Sequence, residues 1–452
     1  MTQQHSLVLS DNQLDLLNEA LEEGISMQVK QMLNSLSPAD AAHLLASAPP
    51  RQRSLLWKLI AVEHEGDVLN EMSDDVRQFF IDHMNVAELI SILEGQDIDD
   101  IADLLQQLPQ TIIQQVLSSM SQQDRQRIEA VLSWPEDTAG GLMNTDTTTI
   151  RPDITIDVAL RYLRRHESLP EPFDGLLVVS RDDTLTGILP TTSLLTQDGN
   201  KTISEVMDTD FIAIPVDMQD NQVAQLFERE DLVSAPVIDE NNRLLGRITV
   251  DDVVDVIREE ADHSVMSRAG LDEDEDTFAP TFKTARRRAT WLGINLMTAF
   301  ISASVIGLFQ NTIDKVVALA VLMPIVASMG GIAGSQTLTL IIRAMALGQI
   351  GRSNTRWLLT REFIVGLSNG VIWASVVATA AMLWFGDAVI ALVIALAMMI
   401  NLTVAVVIGT ILPMILRALN IDPALAGTVV LTTITDVTGF MSFLGLATLF
   451  YS

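Results

Sequence analysis

The sequence predicts three kinds of structure joined in one chain: an α-helical superhelical N domain, an α+β region of two tandem β-α-β-β-α units, and a five-helix all-α transmembrane domain. Three observations carry this. Charge is segregated: of 452 residues, 283–452 hold 10 Lys and Arg against 5 Asp and Glu, so the first 282 stand near −35 and the rest near +5. The apolar pattern changes texture after Trp134-Pro135, and five apolar runs beyond Arg288 each approach the ~20 residues needed to cross hydrocarbon.

From about Ser10 to Ser133, apolar residues recur at three- and four-residue spacing between Pro, Ser and Asp breaks, the signature of short helices. Asp40-Ala41-Ala42-His43-Leu44-Leu45 is echoed by Asp100-Ile101-Ala102-Asp103-Leu104-Leu105, and each is followed by a proline, Pro49 or Pro109. Stacked helical hairpins are expected. After Trp134 come short β runs at Leu176–Val179, Gly187–Leu189, Phe211–Ile214, Ala235–Asp239 and Arg243–Thr249, separated by helical stretches near 157–165, 221–229 and 251–261. Two units of roughly 60 residues in tandem fit this alternation, starting near Thr138 and Thr202. An acidic run, Asp272–Asp276, and a basic one, Lys283–Arg288, lead into the apolar part.

The five candidate spans are Trp291–Phe309, Val316–Leu347, Phe363–Phe385, Ala388–Leu416 and Ala424–Tyr451. With the acidic half inside, the inner flanks carry Arg286, Arg287, Arg288, Arg343, Arg352, Arg356, Arg361 and Arg417, and the outer loops only Lys315. That obeys the positive-inside rule and puts the C-terminus outside. Met1–Ser10 lacks a basic region followed by an apolar stretch, so no cleaved signal is expected and the N-terminal half is read as cytosolic. A surface this acidic repels nucleic acid and anionic lipid and attracts divalent cations.

Asp436 sits near the middle of the last span, in Thr432-Thr433-Ile434-Thr435-Asp436-Val437-Thr438-Gly439. A charge at bilayer depth costs at least about 2–3 kcal/mol, so it normally faces a wet pathway and draws a cation. A buried structural hydrogen bond and a proton relay are the alternatives. The neighbouring threonine hydroxyls favour a hydrated lining. In the second span, Met323-Pro324 and Gly330-Gly331-Ile332-Ala333-Gly334-Ser335-Gln336 either break the helix and free carbonyl oxygens, or let helices pack closely. Asn295, Asn369 and Asn401 either line a path or bridge helices; Glu362 pairs locally with Arg361 or sits at the interface.

Cys is absent and all six His lie at or before His263, so the membrane half offers oxygen ligands alone. These suit hard cations such as Mg²⁺ and Ca²⁺ better than Zn²⁺ or Cu. Mg²⁺ keeps several waters and is held by one or two carboxylates, which one Asp per chain, doubled by a two-fold axis, would supply. Without a membrane His to activate Ser335, nucleophilic catalysis is not expected and the chain is read as no enzyme. In the soluble half, Thr249 and Asp252, at the join of a strand and a helix, either hold a ribose or phosphate of an adenine nucleotide such as ATP or form an ordinary helix cap.

Glu136-Asp137-Thr138-Ala139-Gly140-Gly141-Leu142-Met143, the tandem β-α units, Pro324 to Gln336, Arg361-Glu362, Asp422-Pro423-Ala424-Leu425-Ala426 and Thr435-Asp436-Val437-Thr438-Gly439 together resemble the MgtE family of magnesium channels, over nearly the whole chain. The resemblance implies a homodimer in a bacterial inner membrane, with a helical N domain (1–133), a tandem CBS domain (134–262), a connecting plug helix (263–288) and a pore domain (289–452). It implies that Asp436 binds hydrated Mg²⁺ on the dimer axis, and that intracellular Mg²⁺ closes the pore by bridging acids, here Asp99 and Asp103 of the N domain with Asp252, Asp255 and Glu260 of the last CBS helix. Clustered carboxylates repel until a divalent ion neutralises them.

Three departures from the family pattern stand out: Ile332 where the Gly-Gly-Asn-x-Gly signature has Asn, Gly427-Thr428-Val429 after Asp422-Pro423-Ala424, and Glu260-Ala261-Asp262-His263-Ser264 where Glu-Ala-Thr-Glu-Asp is common. The last should weaken one bridging site unless Asp262 or the run Asp272–Asp276 substitutes. The expected function is Mg²⁺ import, with a broader divalent transporter (Co²⁺, Mn²⁺, Ca²⁺) or a membrane-anchored nucleotide or Mg²⁺ sensor as alternatives.

Overall fold

The computed structural model describes residues 26–93, 96, 98–165, 172–271, 275–351 and 354–451, with the side chains of 26, 28, 99 and 268 outside the description. The chain divides into two compact units, residues 1–262 with 274–280, and residues 263–273 with 281–452.

The first unit opens with short helices: α1 (Ser26–Leu33), α2 (Pro38–Ala46), α3 (Pro50–Trp57), α4 (Val62–Asn70), α5 (Asp74–Ile81), α6 (Val86–Leu93), α7 (Ile98–Gln106), α8 (Gln110–Ser119) and α9 (Gln122–Val131). From α2 on they start at residues 38, 50, 62, 74, 86, 98, 110 and 122, a step of 12 residues. Alternate helices stack, α2 on α4, α4 on α6 and α6 on α8, as hairpin repeats do when no single hairpin can bury its apolar face. The expected hairpin array is therefore present, with a finer period than the single sequence echo suggested. Its core runs through Leu44, Leu45, Leu56, Leu69, Leu89, Leu104, Leu105, Val116 and Ile128.

Two three-stranded sheets follow. After α10 (Ala139–Leu142), the first unit contains β1 (Thr149–Ile150), α11 (Ile156–Leu163), β2 (Gly175–Val179), β3 (Leu185–Pro190) and α12 (Thr191–Thr196). After α13 (Ile203–Val206), the second contains β4 (Ile214–Pro215), α14 (Asp220–Glu230), β5 (Ser234–Ile238), β6 (Leu244–Thr249) and α15 (Val250–Met266). Both pair parallel then antiparallel, in orders β1-β2-β3 and β4-β5-β6. Each carries a register shift at the same place, Val178/Val179 and Val237/Ile238, and each hairpin turns through a left-handed residue, Asp183 (φ 61°) or Asn242 (φ 58°). The repeat is thus structural down to its irregularities.

The connecting helix expected over 263–288 is divided. Helix α15 crosses residue 262 without interruption and ends in a 3₁₀ turn, Ser267–Ala269, closed by Gly270 at φ 71°. That conformation favours glycine, and a methyl group there would lie 2.1 Å from the Trp291 indole nitrogen. A new helix, α16 (Thr281–Gly307), begins after Pro280.

The second unit holds α16, the short α17 (Gln310–Lys315), α18 (Ala318–Ala346), α19 (Thr355–Phe385), α20 (Ala388–Ala418) and α21 (Pro423–Tyr451). Five of these are long and apolar enough to span a membrane. Helix α20 is the centre, with 56% of its most apolar window buried against 11% for α16, and it packs on α18, α19 and α21. Helix α18 is continuous through Pro324 and the glycine run, so of the two readings the break is absent. The glycines serve close packing instead. Asn401, fully buried on α20, lies between Gly330 and Gly439 and donates Nδ2–H to the Val326 carbonyl at 2.8 Å. A methyl group on Gly409 would stand 2.7 Å from the Gly334 carbonyl oxygen, a backbone atom with little freedom to yield. Gly409→Ala should therefore lower the thermal midpoint in detergent by several degrees, a cost of about 2 kcal/mol; an unchanged midpoint would show that α18 and α20 separate freely.

Candidate functional site: two carboxylate centres

The acidic centre of the first unit is assembled from helices far apart in sequence. Asp103, on α7, is largely buried, and burial, reinforced by Glu136 and opposed by Arg77, pushes its pKa up to about 8, with Asp100 and Asp252 adding to the rise. Asp252, in the first turn of α15, is pushed up to about 6, mainly by burial and against the pull of the Thr249 N–H. Glu136 is raised by burial, Asp74 and Asp137. Glu71, at the end of α4, is raised by burial and then by Asp255, with Arg258 in opposition. Carboxylates held this close out of water resist ionising together. The site is short of positive charge by construction.

The residues expected to bridge an ion are thus partly gathered: Asp252 adds to the rise at Asp103, while Asp255 adds to the rise at Glu71 and is paired with Arg258 at 3.3 Å. Asp99 is helical in backbone, but its side chain lies outside the described residues. Glu260 is exposed on α15. Among the described residues, no three carboxylates or imidazoles converge closely enough to grip an ion directly.

Asp252 caps the start of α15 through Thr249. The Asp252 Oδ2 accepts from the Thr249 N–H at 3.0 Å and from its hydroxyl at 2.9 Å, with Asp251 also against that hydroxyl. Two carboxylates at one hydroxyl suit the hydroxyls of a ribose and repel a phosphate.

In the second unit, Asp436 lies midway along α21, half-buried. Among the described residues, no hydrogen bond or ion pair reaches its carboxylate. The neighbouring threonine hydroxyls are tied to their own helix. The hydroxyls of Thr432, Thr433 and Thr435 donate to carbonyls one turn back, Thr428, Val429 and Thr432, at 3.0, 2.7 and 3.0 Å, which leaves their oxygens as acceptors. Glu362 is buried and takes Arg361 at 2.6 Å, the local pairing. Asn295 bonds the Trp291 carbonyl, Asn401 bridges helices, and Asn369 is exposed on α19. Ile332 is about half exposed, and Gly427 packs on Leu338 within an unbroken α21.

Several residues escaped the sequence reading. Glu136 and Glu71 join the acidic centre without lying near it in sequence. His263, which stands where the family pattern has an acid, meets Asp422 at 3.2 Å, and Asp422 caps α21 through the Ala424 and Leu425 N–H groups. Of the proposed acidic substitutes, Asp262 is exposed, Asp272 and Asp274 lie outside the described residues, and Asp276 is taken by Arg53 at 2.7 Å.

Three family models match: a divalent cation transporter model, MgtE, over residues 323–446; the MgtE intracellular N domain over 36–137; and the CBS domain over 139–198 and 203–259. The chain is 28% identical over 430 residues to the magnesium transporter MgtE of Bacillus subtilis, covering 95% of each chain. It is 29% identical over 438 residues to that of Thermus thermophilus, covering 96% of this chain and 97% of the relative. The crystal structure of the cytosolic domain of the Mg²⁺ channel MgtE in complex with ATP superposes with a TM-score of 0.50 at 29% identity, covering 54% of this chain and 99% of the other.

Proposed function

Because this chain belongs to the MgtE family, membrane proteins that transport magnesium rather than enzymes, we propose that it imports Mg²⁺ across a bacterial inner membrane through a pore on the two-fold axis of a homodimer. One observation carries the reading: a carboxylate at mid-depth in α21 with no partner in its own chain among the described residues. Such a group, when ionised, is stable there only if water or a cation meets it. Two copies across an axis would hold a hydrated Mg²⁺ through retained waters, with the part-exposed Thr432 and Thr433 oxygens accepting from those waters.

The acidic centre is the regulatory half of the proposal. Intracellular Mg²⁺ joins Asp99 and Asp103 to Asp252, Asp255 and Glu260, and Glu136 and Glu71 enlarge that set. Among the described residues no three of these acids converge on one point, an arrangement that suits a cation keeping part of its hydration shell. ATP is proposed to place its ribose on Asp252 and Thr249, in exchange for the present cap. The N-terminus is placed in the cytoplasm and the C-terminus outside on the strength of the arginine distribution.

Proteoliposomes loaded with a Mg²⁺-sensitive dye test this. An inward Mg²⁺ gradient should raise the signal, less so when the cytosolic face is also bathed in millimolar Mg²⁺. No uptake under either condition would contradict transport; equal uptake would contradict the gate. Competition by Co²⁺, Mn²⁺ and Ca²⁺ then sets selectivity.

A further inference from the structure

Helices α3 and α5 place an arginine at the same repeat position, 24 residues apart: Arg53 and Arg77 are each the fourth residue of their helix. Both staple the preceding helix end in the same way. Arg53 donates Nε–H to the Leu45 carbonyl at 3.0 Å and a terminal N–H to that of Ala46 at 3.0 Å. Arg77 donates to Leu69 at 3.2 Å and Asn70 at 3.2 Å. The charge left over is met differently. Arg77 has an acid in its own helix, Asp74, at 3.5 Å. Arg53 has none in α2 or α3, where the one acid, Asp40, is hydrogen-bonded to Ser37.

Arg53 is fully buried, so water does not screen it, and its counter-charge comes from 223 residues away. Asp276 accepts both terminal N–H groups, at 2.7 and 3.1 Å, and is itself 7% exposed. The same carboxylate accepts the Phe278 N–H at 2.9 Å, and Phe79 of α5 lies under the guanidinium at 5.5 Å. Asp276 stands five residues before α16, the first membrane helix, yet residues 274–280 belong to the unit that contains the N domain.

We propose that the Arg53–Asp276 pair is a latch that fastens the chain entering the first membrane helix to the N domain, so that a movement of that domain pulls on α16 directly as well as through α15. A bidentate pair out of water is rigid in direction as well as strong, which a strap that transmits displacement requires. Its regulatory consequence rests on the reading of the N domain as a Mg²⁺-responsive gate; the contact itself does not.

The test uses the full-length protein with Asp276→Asn, which keeps shape and loses charge, and Asp276→Glu, which keeps charge. Hydrogen exchange at 275–280 should speed up about tenfold or more in Asp276→Asn and stay near the original rate in Asp276→Glu. In proteoliposomes, Asp276→Asn should shift the Mg²⁺ concentration for half-inhibition of uptake by about threefold or more, with Asp276→Glu close to the unchanged protein. Unchanged exchange in Asp276→Asn overturns the latch, and so does faster exchange with an unmoved inhibition curve. If the unchanged protein takes up Mg²⁺ without inhibition, the gate reading fails and the exchange result alone decides the contact.

Discussion

Asp436→Asn is expected to cut Mg²⁺ uptake into proteoliposomes more than tenfold while the protein still assembles as a dimer and unfolds at or above its original temperature. The argument is electrostatic. A tenfold loss corresponds to about 1.4 kcal/mol, and a divalent ion held between two carboxylates even through water loses more than that when both charges are removed, because the surrounding helices are a poor dielectric. Stability should move the other way, since an unpaired charge at this depth is a cost to folding that asparagine removes. Size-exclusion chromatography and the thermal midpoint separate the two effects. Ordinary uptake in this variant would show that Asp436 has a structural role, and reduced uptake with a lowered midpoint would point to misfolding.

The second large effect is on the acidic centre. Asp103 titrates near 8 in the folded protein and near 4 when unfolded. A carboxyl raised in this way contributes stability that is fully present below about pH 4 and lost as pH rises through about 8. Asp252, raised to about 6, loses its share earlier. Between pH 6 and 8.5, without Mg²⁺, the full-length protein should therefore lose about 2 kcal/mol from its cytosolic unfolding transition, after allowance for partial solvent screening. Asp103→Asn should flatten that slope. Added Mg²⁺ should flatten it too, because the cation takes over from the proton, and the Mg²⁺ needed for protection should fall as pH rises. An Asp103→Asn protein with the original pH slope would remove Asp103 from the centre.

What the sequence made legible follows from where each signal lives. Asp436 was readable because a lone acid in an apolar run needs no knowledge of its neighbours, and the five spans were readable from length and hydropathy. The two β-α-β-β-α units showed in alternating texture. The 12-residue helix period showed only as one echo, since the repeat keeps buried positions such as Leu45, Leu69 and Leu105 rather than residue strings. Of the two readings at Pro324 and the glycine run, close packing holds: α18 stays continuous, and the glycines admit Asn401 of α20 and Leu431 of α21. Gly270, left-handed and close against Trp291, closes the first part of the connecting segment, a contact that a helical pattern over 263–288 does not contain. Pairings between distant segments, Glu136 with Asp103, His263 with Asp422 and Arg53 with Asp276, could not be read at all. Each becomes visible only when the fold places its halves together.

The most direct test is a structure of the full-length protein in a lipid nanodisc with Mg²⁺ and again with a chelator. The account predicts two chains related by a two-fold axis, with the Asp436 carboxylates facing one another across it and density for a hydrated ion between them that disappears with the chelator. Asp436 side chains turned to lipid, or sealed in a dry contact between helices with no ion in either condition, would contradict it.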